Sequence, residues 1–154
     1  MRNADWKNTF PDQARRNDRS GSAGRAADER AALGISGEDL AARYLEASGY
    51  ALLERRWRSA NDHTGEIDLI VREGDEIVFV EVKTRRTGDY GHPEEAVTRF
   101  KQDQLRRTAW AYLKEKGLTR RAWRIDVVAI GLAPGAARPK LRHIRFAVGE
   151  APEC

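Results

Sequence analysis

The chain has 154 residues, with 28 lysines and arginines against 24 aspartates and glutamates, for a formal charge of +4. That length suits one domain with a modest core and needs no second one. The single cysteine, Cys154, excludes intramolecular disulfides and Cys-rich zinc sites, and the longest apolar stretch, Arg124 to Pro134, carries Asp126 and is far shorter than a membrane span.

Residues 1–33 are polar, rich in Arg and Asp, and open on Met-Arg-Asn-Ala-Asp-Trp without an apolar signal core. They are expected to be a disordered or loosely packed extension, with a short helix available to Ala23–Leu33, and the protein is expected to be cytoplasmic. Residues 34–148 form the domain and 149–154 a tail. Ser36 with Asp39 three residues on makes a capping-box-like start, Leu40, Ala41, Tyr44 and Leu45 follow at helical spacing, and Gly49 ends the run. Tyr50–Arg56 reads as a short strand. Two strands follow, Glu66–Arg72 and Ile77–Lys83, joined by the hairpin signal Glu73-Gly74-Asp75-Glu76. His92-Pro93-Glu94 predicts the start of a long helix running to Gly117, with Val97, Phe100, Leu105, Ala109, Tyr112 and Leu113 facing the sheet. Ile125–Ile130 is a further strand, Pro134-Gly135 a turn, and Leu141–Val148 a last edge strand. There is no internal repeat.

The hairpin strands hold charges where a buried strand should hold none. Alternation puts Ile67, Leu69 and Val71 on one face of the first strand and Glu66, Asp68 and Ile70 on the other. In the second, Val78, Val80 and Val82 oppose Ile77, Phe79, Glu81 and Lys83. A turn centred on Gly74-Asp75 sets Val71 across from Val78, Ile70 from Phe79, Asp68 from Glu81 and Glu66 from Lys83. Directly opposed residues have Cβ atoms roughly 4.5–5.5 Å apart. Two half-buried carboxylates at that distance repel, and a divalent cation with a preference for hard oxygen ligands, Mg²⁺ above all, would relieve them. Lys83 on the same face could orient or deprotonate an attacking water, or stabilise charge at a phosphorus centre. An exposed sheet face with cross-strand ion pairs would look the same, and the residues alone leave both readings open.

Gly65-Glu66-Ile67-Asp68, the hairpin and Phe79-Val80-Glu81-Val82-Lys83-Thr84-Arg85 resemble the signature of the YraN family of bacterial proteins, itself similar to the PD-(D/E)XK, or restriction-endonuclease-like, nucleases and to archaeal Holliday junction resolvases. The resemblance covers roughly Gly37 to Ile130. It departs from the pattern in the long amino-terminal lead and in a longer loop at Arg58–Thr64. It implies an α/β fold with a mixed central sheet flanked by helices, and a Mg²⁺- or Mn²⁺-dependent endonuclease acting on DNA, including branched or structured DNA. Asp68, Glu81 and Lys83 would be catalytic, with Asp68, Glu81 and the helix residue Glu38 on the metal and Glu66 accessory. A homodimer follows if the substrate is a junction. The alternative is a nucleic-acid-binding or partner-binding module on the same frame without turnover.

Basic residues cluster at Arg55-Arg56-Trp57-Arg58, Lys83-Thr84-Arg85-Arg86, Arg99 to Lys116 and Arg120-Arg121-Ala122-Trp123-Arg124, with Trp57 and Trp123 among them able to stack on a base. Lys101, Arg85 and Arg107 are the residues expected to bind nucleic acid, although a helix on a sheet exposes a charged side in any case. Glu66 opposite Lys83 serves equally as an ion pair, and Glu38 in a helix's first turn is favoured by the dipole whatever else it does. His63, His92 and His143 lack metal-ligand spacing. Asp126 is read as a structural partner for an arginine.

Overall fold

The computed structural model describes residues 36–61, 63, 65–85, 98–131 and 138–148. The short helix at Ala23–Leu33, the helix start at His92-Pro93-Glu94, Val97, the turn at Pro134-Gly135 and both terminal segments lie outside these residues.

Helix α1 (Gly37–Ala47) starts where expected. Ser36 is extended, with φ −61° and ψ 151°, and its hydroxyl oxygen accepts from the Asp39 amide. The helix closes through Gly49 at φ 97°, where the Gly49 and Tyr50 amides donate to Glu46 and Leu45 carbonyls at 3.1 and 3.0 Å. Five strands follow: β1 (Ala51–Arg58), β2 (Glu66–Glu73), β3 (Glu76–Arg85), β4 (Trp123–Gly131) and β5 (Lys140–Val148). Between β3 and β4 lies α2 (Arg99–Glu115). Thr98 is extended and its side chain caps the Lys101 amide, so the described helix begins at Arg99 rather than running unbroken from His92.

The sheet is ordered β1-β2-β3-β4-β5, with β3–β4 parallel and every other pair antiparallel. Each helix covers one face, as a central strand with two apolar sides requires. Leu40, Ala41, Ala42 and Leu45 of α1 pack on Leu69, Val71, Val78, Val80, Val128 and Ile130. Leu105, Ala109, Tyr112 and Leu113 of α2 pack on Leu53, Trp57, Ile67, Ile70, Phe79 and Val127. Tyr112 sits edge-on to both Trp57 and Phe79, at 5.1 and 5.6 Å between ring centroids.

Two expectations are corrected. Phe100 does not face the sheet: it is 75% exposed, in the first turn of a helix that begins only at Arg99. The face set Ile67, Leu69 and Val71 is also broken, since Leu69 and Val71 lie on the α1 side while Ile67 joins the α2 side. On the neighbouring strand, Arg56 has φ 47°, between the pairs Arg55↔Leu69 and Trp57↔Ile67. That left-handed residue interrupts the regular alternation on which a period-two reading depends. Among the described residues no helix is long and apolar enough to cross a membrane.

Candidate functional site

The hairpin register is the expected one from Glu73↔Glu76 through Val71↔Val78 and Ile70↔Phe79 to Leu69↔Val80, but the expected pairs of Asp68 with Glu81 and Glu66 with Lys83 do not form. Beyond Leu69 the two strands part. β2 stays with β1 as far as Arg58↔Glu66, while β3 stays with β4 as far as Arg85↔Gly131. Asp68 sits where the wedge opens. In a continued ladder the Val82 amide would meet Ile67; instead it donates to Oδ2 of Asp68 at 2.8 Å.

Glu38 arrives from the opposite direction. A side chain at Gly37 would run into the Thr84 hydroxyl, so glycine there lets the start of α1 settle against the end of β3. Carboxylate oxygens of Glu38, Glu66 and Asp68 lie within 4.8 Å of one another. Two oxygens across a single hard cation are separated by about 4 to 5 Å, given metal–oxygen distances of about 2.0–2.6 Å. The three residues therefore fit one ion, and with no His or Cys among them the donor set suits Mg²⁺, Mn²⁺ or Ca²⁺.

Glu81 is 5% exposed and faces α2. Its Oε1 lies 3.4 Å from Lys83 Nζ and 3.6 Å from Lys101 Nζ. Its Oε2 is buried and has no hydrogen-bond partner among the described residues. Glu38 and Glu66 are held by the Nε atoms of Arg56 and Arg58, at 2.7 and 2.8 Å. Asp68 alone of the four carboxylates has no cation at ion-pair distance among the described residues. Burial, and then the charge of Glu81, push its carboxyl up to about 6, against the opposing pull of the Val82 amide. A half-buried carboxylate that resists ionisation, beside a buried one with an oxygen unpartnered among the described residues, is a place where a cation is favoured.

Over residues 37–130 the sequence matches the family described as "Uncharacterised protein family UPF0102". The chain belongs to this family. A UPF0102 protein of Rhodococcus jostii is 50% identical over 116 residues, 75% of this chain and 95% of the relative. One from Geobacter sulfurreducens is 49% identical over 113 residues, 73% and 84% of the two chains, and one from Roseiflexus castenholzii 44% over 123 residues, 79% and 97%. The family span contains all four carboxylates and both lysines of the site.

The structure of this UPF0102 chain rearranges the expected roles. Glu66 stands in the three-carboxylate group, and its cation is Arg58 of β1, not Lys83 across the hairpin. Glu81 lies beside that group, paired to the lysines. Lys101, expected at nucleic acid, reaches Glu81 as well. Arg85 and Arg107 are exposed and make no ion pair among the described residues. Arg56 and Arg58 appeared in the sequence only as part of a basic run. Their link to Glu38 and Glu66 depends on the β1–β2 register, which no local signal specifies.

Proposed function

We propose that this chain is a Mg²⁺- or Mn²⁺-dependent endonuclease of the restriction-endonuclease-like type, cleaving phosphodiester bonds in DNA. The observation that carries the reading is the opened hairpin: Asp68 without a cation and Glu81 with a buried, unbonded oxygen, side by side at the point where β2 leaves β3. The mixed sheet with a helix on each face agrees with the nuclease frame. So does the family's signature, which falls on these residues.

Glu38, Glu66 and Asp68 would hold the cation, with Glu81 beside them as a further ligand through its other oxygen. A divalent ion supplies charge neutralisation at the anionic phosphorus centre and at the poor alkoxide leaving group. Lys83, 3.4 Å from Glu81, orients the attacking water and stabilises charge building on the phosphoryl oxygens. Lys101 offsets the second charge of the pair from the α2 side.

The test uses labelled branched, nicked, single-stranded and duplex DNAs with Mg²⁺ or Mn²⁺, comparing the parent with Glu81→Ala and Lys83→Ala. Cleavage of at least one substrate is expected, reduced about 100-fold or more in both variants, the scale for losing a positioned charged group. DNA binding without metal-dependent cleavage across the panel would replace the nuclease with a non-catalytic binding module on the same frame.

A further inference from the structure

Two arginines at the edge of the site have an arrangement that holding carboxylates does not explain. Arg56 and Arg58 are 64% and 74% exposed along their side chains, and each touches its glutamate through Nε alone. A guanidinium carries five N–H donors in a planar fork, so four on each arginine remain uncommitted. No other hydrogen bond or ion pair engages them among the described residues. Nε is the atom that fixes the direction of the fork, and a bond there leaves its two terminal nitrogens to solvent.

An exposed Arg–Glu pair contributes little to stability, and such pairs form on regular strands without special backbone. Arg56 instead adopts φ 47°, a conformation uncommon for any residue but glycine. Its flanking pairs, Arg55↔Leu69 and Trp57↔Ile67, place it across from Asp68. Strain of this kind persists where the surroundings over-determine it and is concentrated at functional sites. Here it brings an always-charged fork to the rim of the carboxylates, on the side away from Lys83 and Lys101. The four carboxylates are thus bordered by cations on both sides: two lysines toward α2 and two arginines on β1.

We infer that Arg56 and Arg58 form a two-pronged clamp for a backbone phosphate next to the one attacked, each held in aim by its Nε bond to Glu38 or Glu66. The inference rests on the nuclease reading and gives it a sequence-independent hold on the substrate, because the planar fork matches two phosphate oxygens at once and phosphate carries no base identity. Both residues are positioning groups for the strand. The carboxylates they hold remain open to a cation through their other oxygens, Oε1 in each case.

The clamp is tested by DNA binding to the full chain in Ca²⁺, followed by fluorescence anisotropy at salt from 50 to 200 mM, for the parent, Arg58→Gln, Arg56→Asn with Arg58→Gln, and Arg56→Lys with Arg58→Lys. Asparagine tolerates the left-handed conformation, so the Arg56→Asn chain is expected to fold at least as well as the parent. Losing the contact to one phosphate lowers the slope of log affinity against log salt by about 1, so the slope falls by about 1 for the Asn/Gln pair and by less for Arg58→Gln alone. The lysine pair keeps the slope but not the full affinity, since it restores charge without the fork. Affinity for Ca²⁺ in the absence of DNA stays within about two-fold for Arg58→Gln. Unchanged slopes overturn the clamp, and if the parent still cleaves DNA the nuclease reading stands without it. A fall in DNA affinity matched by a fall in Ca²⁺ affinity also overturns it, assigning the arginines to the metal ligands alone. Reduced slopes in a chain that never cleaves uphold the clamp and remove the nuclease. A parent that binds no DNA removes both.

Discussion

The sheet buries charge in two places, and their partners differ. On the α1 face, Arg124 has a side chain 1% exposed and is enclosed by acceptors: Asp126 at 3.0 Å, Glu73 at 2.7 Å, Glu76 at 3.3 Å and the Tyr50 hydroxyl at 3.0 Å. His143 completes Asp126 at 2.8 Å and is itself walled by the edges of Tyr44 and Tyr50. On the α2 face, one residue further along β3 than the Val80↔Asp126 pair, Glu81 ends in an oxygen with no hydrogen bond among the described residues, and Asp68 beside it has no cation among them. The first group is closed and holds strands β2, β3, β4 and β5 together. The second is open, and its strands separate where it lies. Buried charge that meets its opposite is architecture, whereas buried like charges facing each other favour a ligand between them.

The largest effect should come from breaking the closed group. Arg124→Met leaves the buried Asp126 without its arginine and is expected to cost about 3–5 kcal/mol in urea unfolding. A cost below about 1 kcal/mol would mean that the acidic partners tolerate each other, and the contrast between the two regions would fail.

The open group should respond to a ligand instead. At one hundred times its dissociation constant, Mg²⁺ or Mn²⁺ is expected to stabilise the parent by about 2.7 kcal/mol, and Asp68→Asn by much less. Equal stabilisation of both chains would place the cation elsewhere.

Without metal, Asp68 should weaken the fold. Its carboxyl titrates near 3.8 when solvated and about 6 when folded. Between those values the folded chain holds a proton that the unfolded chain releases, so this group makes stability fall as pH rises through the window, with the full penalty present above it. In EDTA, Asp68→Asn is therefore expected to be more stable than the parent by about 1–2 kcal/mol at pH 7.5, after allowing for solvent screening, and no more stable at pH 4. Denaturation at the two pH values decides this, and an advantage independent of pH would assign it to packing. The smallest change is expected at the rim of the closed group. Arg145 meets Glu73 at 2.9 Å from a half-exposed position, and Arg145→Ala should alter stability by less than about 1 kcal/mol.

Much of this was legible where the determining interactions are short in sequence. Gly74-Asp75 sets a two-residue turn, and a two-residue turn sets the register, so the pairing of Ile70 with Phe79 and Val71 with Val78 could be counted from the hairpin. Ser36 and Gly49 marked the ends of α1. The helix start at Thr98 was hidden because His92-Pro93-Glu94 offers a stronger start signal a few residues earlier. Phe100 was placed by spacing counted from that earlier start, and the helix that forms leaves it exposed.

By itself the sequence determined the α/β class, the hairpin, and the placing of Asp68, Glu81 and Lys83 near one another, since each follows from neighbours a few residues apart. Only the tertiary structure decided that the hairpin opens at Asp68, that Ile67 and Leu69 part to opposite faces at the level of Arg56, and that Glu38 and Glu66 are held by arginines of β1. Those outcomes depend on which strand each hairpin arm follows once the pairing ends. That choice is made by packing α1 and α2 against the whole sheet, and it has no representation in any local run of residues.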